Sequence, residues 1–112
     1  MKTTVITTLL LLLLAALLEA GGDALVRSGL RGAGNPRWAW MLAGGVVLFA
    51  YGCAVNTPPW DFGRLLGIYV VFFFVVAQAI SWVAFQQKPD PGVWAGGALI
   101  VLGGIVLTLW RR

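Results

Sequence analysis

Apolar positions in this chain do not alternate, and they do not form a single stripe along each helix. They run for about twenty residues at a time and break only at short polar links. The runs cover residues 4–26, 38–56, 63–85 and 93–110. At about 1.5 Å of rise per residue, each is long enough to cross a hydrocarbon core of about 30 Å. The links carry turn formers: Gly29, Gly32, Gly34, Asn35 and Pro36, then Pro58 and Pro59, then Pro89-Asp90-Pro91-Gly92. Links this short turn each helix back on the one before it. The pattern predicts a single membrane domain over residues 1–112, an all-α integral membrane fold built as a four-transmembrane-helix bundle.

Composition narrows the function classes. With 60% hydrophobic and 11% charged residues, the chain is not an ordinary soluble domain. Its net charge of +4 comes from basic residues at the ends of apolar runs, which points to the membrane surface and not to nucleic acid. There is no His, and Cys53 is alone in an apolar segment, so no disulfide framework or Cys/His metal site can be drawn within one chain. Cys53 reads as a small buried hydrophobe. No nucleophile–base pair or phosphate loop suggests an enzyme, and no cofactor is implied.

Against this background Glu19 stands out. Residues 5–18 contain nothing charged, yet Glu19 follows them within the same helical pattern, and Asp23 comes one turn later. A carboxylate at membrane depth costs roughly 2.5–3.5 kcal/mol and tends to face a bundle interior or a water-filled cavity. By three-and-four spacing, Ala15, Ala16, Glu19, Gly22 and Asp23 share one face, where small residues let a neighbouring helix approach an acid. This describes a small carrier built about one carboxyl. Lys2, the leucine run and Leu18-Glu19-Ala20 also have the outline of a signal peptide cleaved after Ala20. A glutamate just before the cut, Leu18 at position −3 and a helical pattern continuing through Leu25 argue for retention.

Other polar and aromatic residues offer weaker signals. Trp38, Trp40, Trp60, Trp82, Trp94 and Trp110 lie near run ends, where indoles anchor to the interface. Trp60, in a link, has the alternative of folding over a pocket. Tyr69 and Phe73 are one turn apart and form an aromatic face able to hold a cation through ring quadrupoles. Tyr51 shares a face with Gly44 and Leu48, and Gln78 with Ser81; for all of these an interhelical hydrogen bond is the plainer reading. In the last run, Gly97 and Gly104 repeat at seven residues, as do Gly96 and Gly103. Such grooves serve packing within the chain or self-association, and self-association is expected because four short helices do not readily enclose a pathway.

The charge tally bears on orientation. Four spans place Lys2, Arg64, Arg111 and Arg112 on one side and Arg27, Arg31, Arg37 and Lys88 on the other. Four against four gives no positive-inside bias. Copies inserted both ways would pair as an inverted repeat, the usual basis of alternating access.

These features together resemble the small multidrug resistance proteins of the drug/metabolite transporter superfamily, and most closely their YnfA-type branch. The resemblance rests on Glu19-x-x-Gly22 in the first run, Gly63-Arg64-x4-Tyr69 opening the third, and Gly97-Ala98-x-Ile100 with Gly104 in the last. The chain departs from the family pattern at Asp23, Ala24 and Leu25 after the glutamate, at Val70-Val71 after the tyrosine, and at Phe73 in place of a second tyrosine. The resemblance implies proton-coupled export of small or lipophilic organic cations across the inner (plasma) membrane by an antiparallel, dual-topology homodimer, with a heterodimer as the variant. It implies that Glu19 binds proton and cation in turn, with Tyr69, Phe73, Gly22 and Asp23 around it and the α-helical glycines Gly96, Gly97, Gly103 and Gly104 at the dimer interface. Asp23 either joins that site or pairs with Arg27. A partner subunit that does not itself transport, or a structural small membrane protein, are the alternatives.

Overall fold

The structure, a computed structural model, describes residues 2–32 and 36–110. Gly34 and Asn35, two of the breakers in the first link, lie outside the described residues. So do Arg111, Arg112 and the side chain of Lys2, three members of the charge tally.

Four helices follow in order: α1 (Lys2–Leu30), α2 (Arg37–Val55), α3 (Phe62–Phe85) and α4 (Pro91–Leu109). All four are long and apolar enough to cross a membrane. With no strand among the described residues, the fold is an all-α, multi-pass membrane bundle. Its exposed residues fit that setting. Phe49, Val83 and Leu109 are each about three-quarters exposed, an arrangement that bilayer hydrocarbon satisfies and water would not.

Helix ends follow local chemistry. α1 runs four residues beyond the expected limit of 26, because no proline interrupts it and Gly29 stays helical. It ends where Gly32 takes a left-handed φ of +75°. α2 starts after Pro36, and its last carbonyls are covered by side chains: Asn56 Nδ2 donates to Gly52 O and Thr57 Oγ1 to Cys53 O, each at 2.8 Å. α3 ends at Gln86, left-handed at φ 60°, whose N–H returns to Ser81 O. α4 opens on Asp90, which accepts from Val93 N at 2.9 Å, with Pro91 in the first turn where its missing N–H costs nothing.

α1 is the central helix. A third of its spanning window is buried, against 11–17% for the others. α2 and α3 pack on it, and α4 packs on α3. The α1–α2 seam is built on glycine. A Cβ on Gly22 would lie 2.8 Å from Leu48 Cγ and 3.2 Å from Gly44 O, and one on Gly44 would lie 2.9 Å from Gly22 O. One heptad along α1, a Cβ on Gly29 would meet Trp40 Cβ at 2.8 Å. Gly29 is therefore a packing residue and not a helix breaker. The core gathers where α1, α2 and α3 meet: Leu12, Ala15, Ala16, Val55, Leu65, Ile68, Tyr69 and Val76, with Trp60 folded against them. Cys53, expected to be buried, is exposed on α2.

The molecule measures 51 × 33 × 21 Å.

Candidate functional site: a tyrosine-held glutamate beside a charged cleft

Ala15 and Ala16 are fully buried on α1. Their small side chains let α3 approach closely enough for Tyr69 to reach across to α1. Tyr69 is 4% exposed, and its hydroxyl donates to Glu19 Oε1 at 2.7 Å. The carbonyl of Ala15 stands 3.3 Å from the same hydroxyl. A phenol has one proton, so the shorter contact to the carboxylate is the principal bond. Glu19 itself is half-buried.

Tyr69 is flanked by two further rings. Tyr51 on α2 lies 5.6 Å away centroid to centroid and Phe73 on α3 lies 6.3 Å away, tilted by 33° and 34°. Both fall in the range where aromatic pairs attract through their quadrupoles. Three helices thus contribute to one carboxylate and its aromatic wall.

Next to this cluster a cleft of about 260 Å³ opens between α1 and α3, lined by residues that include Ala20, Asp23, Arg27, Phe73, Ser81 and Phe85. Phe73 joins the two features, since it packs on Tyr69 and lines the cleft. The Arg27 guanidinium carbon lies 5.2 Å from the centre of the Phe85 ring, a cation–π contact across the cleft. The expected Asp23–Arg27 pairing does not form: among the described residues neither side chain makes a hydrogen bond or ion pair. A second cavity of about 280 Å³, between α3 and α4 with Leu9 of α1 at its edge, is lined by apolar residues and Thr108 and by no charged residue.

The structure brings Glu19, Tyr69 and Phe73 together and places Asp23 on the adjoining cleft. Gly22, expected to line the same site, lies in the α1–α2 crossing under Leu48, where it sets helix separation. The α4 glycines divide into two faces. Gly97 receives the ring of Phe74 and Gly104 the side chain of Val71, both from α3, so this pair is occupied within the chain. Gly96 and Gly103 have open space where a Cβ would project. The charge tally also changes. Arg27 lies inside α1, and Arg64 lies inside α3, where it donates to the carbonyls of Leu107 and Trp110 at the end of α4.

Tyr51 is the residue that sequence reasoning left out of the site. Its signal was present: it shares a face with Gly44 and Leu48, and that face packs on α1. The approach of Arg27 to Phe85 had no signal, because nothing in the spacing within α1 or α3 indicates how those helices align.

Four apolar spans, with a half-buried carboxylate where three of them meet, define a small multi-pass helical membrane protein. Residues 5–112 match the family model described as "Uncharacterised BCR, YnfA/UPF0060 family". The chain belongs to that family. It is 39% identical over 96 residues to a UPF0060 membrane protein of Bacillus licheniformis, covering 84% of this chain and 85% of the relative. It is 38% identical over 110 residues to one of Nocardia farcinica, covering 96% and 95%. The membrane protein YfjF of Bacillus subtilis is 32% identical over 97 residues, covering 86% and 87%. No solved structure matches.

Proposed function

We propose that the protein is a carrier of the inner (plasma) membrane that exchanges protons for small or lipophilic organic cations about Glu19. The observation that carries this reading is the Tyr69–Glu19 hydrogen bond inside an apolar bundle. An ionised carboxylate in hydrocarbon is costly and a protonated one is not. A proton or an organic cation neutralises the site equally well, and competition between the two couples their opposing fluxes. Tyr69 holds the carboxyl in one orientation, while the rings of Tyr51, Tyr69 and Phe73 offer π-faces to a bound cation.

Two copies complete the pathway in this reading. The open Gly96/Gly103 face of α4 suits a close crossing with another helix. Opposed insertion of the two copies would supply the inverted symmetry that alternating access uses.

The test is substrate-driven current in proteoliposomes under a pH gradient, with a panel of small and aromatic organic cations and Glu19→Gln beside the parent. A cation-dependent current that the variant lacks is the expected result. Equal currents in both would remove Glu19 from the mechanism. Silence in both, with folded protein, would overturn the carrier reading for this chain alone and favour a partner-subunit role.

A further inference from the structure

The cleft between α1 and α3 carries two opposite charges, Asp23 and Arg27, that form no ion pair with each other. An aspartate and an arginine four residues apart on a helix have their Cβ atoms about 5–6 Å apart and ordinarily join in an ion pair. Here the guanidinium of Arg27 lies over Phe85 on the opposite helix instead. The guanidinium carbon stands 5.2 Å from the ring centre, and its N–H donors make no hydrogen bond among the described residues. The carboxylate of Asp23 has no hydrogen-bond or ion-pair partner among the described residues. Both side chains line the same space of about 260 Å³, between small residues of α1 and the rings of Phe73 and Phe85.

We propose that this cleft is a binding site for a small zwitterion, an amine carboxylate with a compact apolar body. The ammonium group lies on Asp23, the carboxylate takes the N–H edge of Arg27, and the apolar body rests on Phe73. A ligand of either sign alone leaves one of the two charges unmatched. A ligand with both signs matches both. The volume sits below the range of about 300–1,000 Å³ usual for drug-sized ligands, which favours a small molecule. This site stands beside the carboxylate of Glu19 and does not depend on exchange there.

The experiment is equilibrium binding of radiolabelled leucine to the full-length protein in lipid nanodiscs. The competitors are its two halves: 3-methylbutylamine, which lacks the carboxylate, and 4-methylpentanoate, which lacks the ammonium. Saturable leucine binding is expected, with each half competing at least about tenfold more weakly than leucine, as loss of a charged hydrogen-bond partner predicts. Asp23→Asn and Arg27→Gln should each weaken leucine binding about tenfold or more, and Arg27→Lys, which keeps the charge and loses the forked donors, should fall between Arg27→Gln and the parent. The competitor comparison uses the parent protein and is independent of how the variants fold. Absence of saturable leucine binding, or an amine that competes as well as leucine, overturns the proposal. The second of those outcomes would make the cleft an extension of a cation pathway. Failure of the Glu19→Gln exchange test leaves this result unaffected, so the two readings fail separately.

Discussion

The hydroxyl of Tyr69 lies 2.7 Å from Oε1 of Glu19, a polar bond between α3 and α1 within an apolar core. A hydrogen bond to a charged group contributes about 1.5–3 kcal/mol. The contact also fixes the direction of the carboxyl that the proposed exchange uses. Tyr69→Phe removes the donor but keeps the ring between Tyr51 and Phe73. The variant should fold, lose about 1.5–3 kcal/mol of stability and exchange cations about tenfold more slowly. Tyr69→Ala also removes the ring and should cost about 3–5 kcal/mol, the range for deleting a buried aromatic. Unfolding in detergent mixtures and proteoliposome flux, measured on both variants, separate the hydroxyl from the ring. A Tyr69→Phe protein with unchanged flux would show that the bond is structural.

The glycines of the α1–α2 seam make a sharper contrast. A Cβ on Gly44 would press on backbone atoms, Gly22 O at 2.9 Å and Val26 N at 3.1 Å, which cannot turn aside. A Cβ on Gly22 would meet mainly the side chain of Leu48, which has some freedom. Gly21, next in sequence, faces open space. Gly44→Ala should therefore destabilise by about 1–3 kcal/mol, Gly22→Ala by less, and Gly21→Ala should stabilise by up to about 1 kcal/mol through helix propensity. Melting temperatures followed by size-exclusion chromatography give the order, and a destabilised Gly21→Ala would refute the assigned faces.

What could be read from the sequence divides along physical lines. Spans and links were legible because hydrocarbon demands long apolar runs and because Pro58-Pro59 and Pro89-Asp90-Pro91 end helices whatever their surroundings. Glu19 was legible because a charge in an apolar run is conspicuous, and Tyr69 was placed beside it by the family resemblance through Gly63-Arg64-x4-Tyr69. The role of Gly97 was not legible, since a seven-residue glycine repeat fits an inner and an outer interface equally well, and Gly22 shares the Glu19 face by spacing but packs against Leu48 of α2. Arg27 illustrates the same limit. Helical spacing places it beside Asp23, but the alignment of α1 on α3 carries its guanidinium to Phe85.

The α3–α4 link concentrates two local terms of opposite sign. Gln86 holds φ at 60°, a region that costs a residue with a Cβ and costs glycine little. Gln86→Gly should therefore stabilise the protein by about 0.5–1 kcal/mol. It also removes the Gln86 Nε2 bond to Val83 O, which is exposed and worth little. Asp90→Ala deletes the side-chain cap on Val93 N and should cost about 1 kcal/mol. The double variant should lie near the parent, because the two changes act at the ends of different helices. Thermal unfolding of the three proteins tests both signs at once.

Arg64 ties the start of α3 to the end of α4. Its guanidinium donates to Leu107 O and, at 3.2 Å, to Trp110 O, supplying partners and positive charge where a helix leaves carbonyls unmatched. Nearby, Gly67 clears space for Leu107, whose Cδ1 would lie 2.6 Å from an added Cβ. The two residues act on the same contact, one by attraction and one by leaving room. Because α4 packs chiefly on α3, loss of this anchor should loosen α4 while leaving the α1–α2–α3 core in place. Arg64→Gln keeps hydrogen-bonding capacity but removes the charge and the forked geometry, and should cost about 1–2 kcal/mol. Gly67→Leu should displace the end of α4 by overpacking and cost about 1–3 kcal/mol. Hydrogen exchange in nanodiscs should then quicken at the amides of Ile105 to Leu109 in both variants, with protection retained at Ala15 and Ala16. Uniform loss of protection across all four helices would show instead that Arg64 supports the whole bundle.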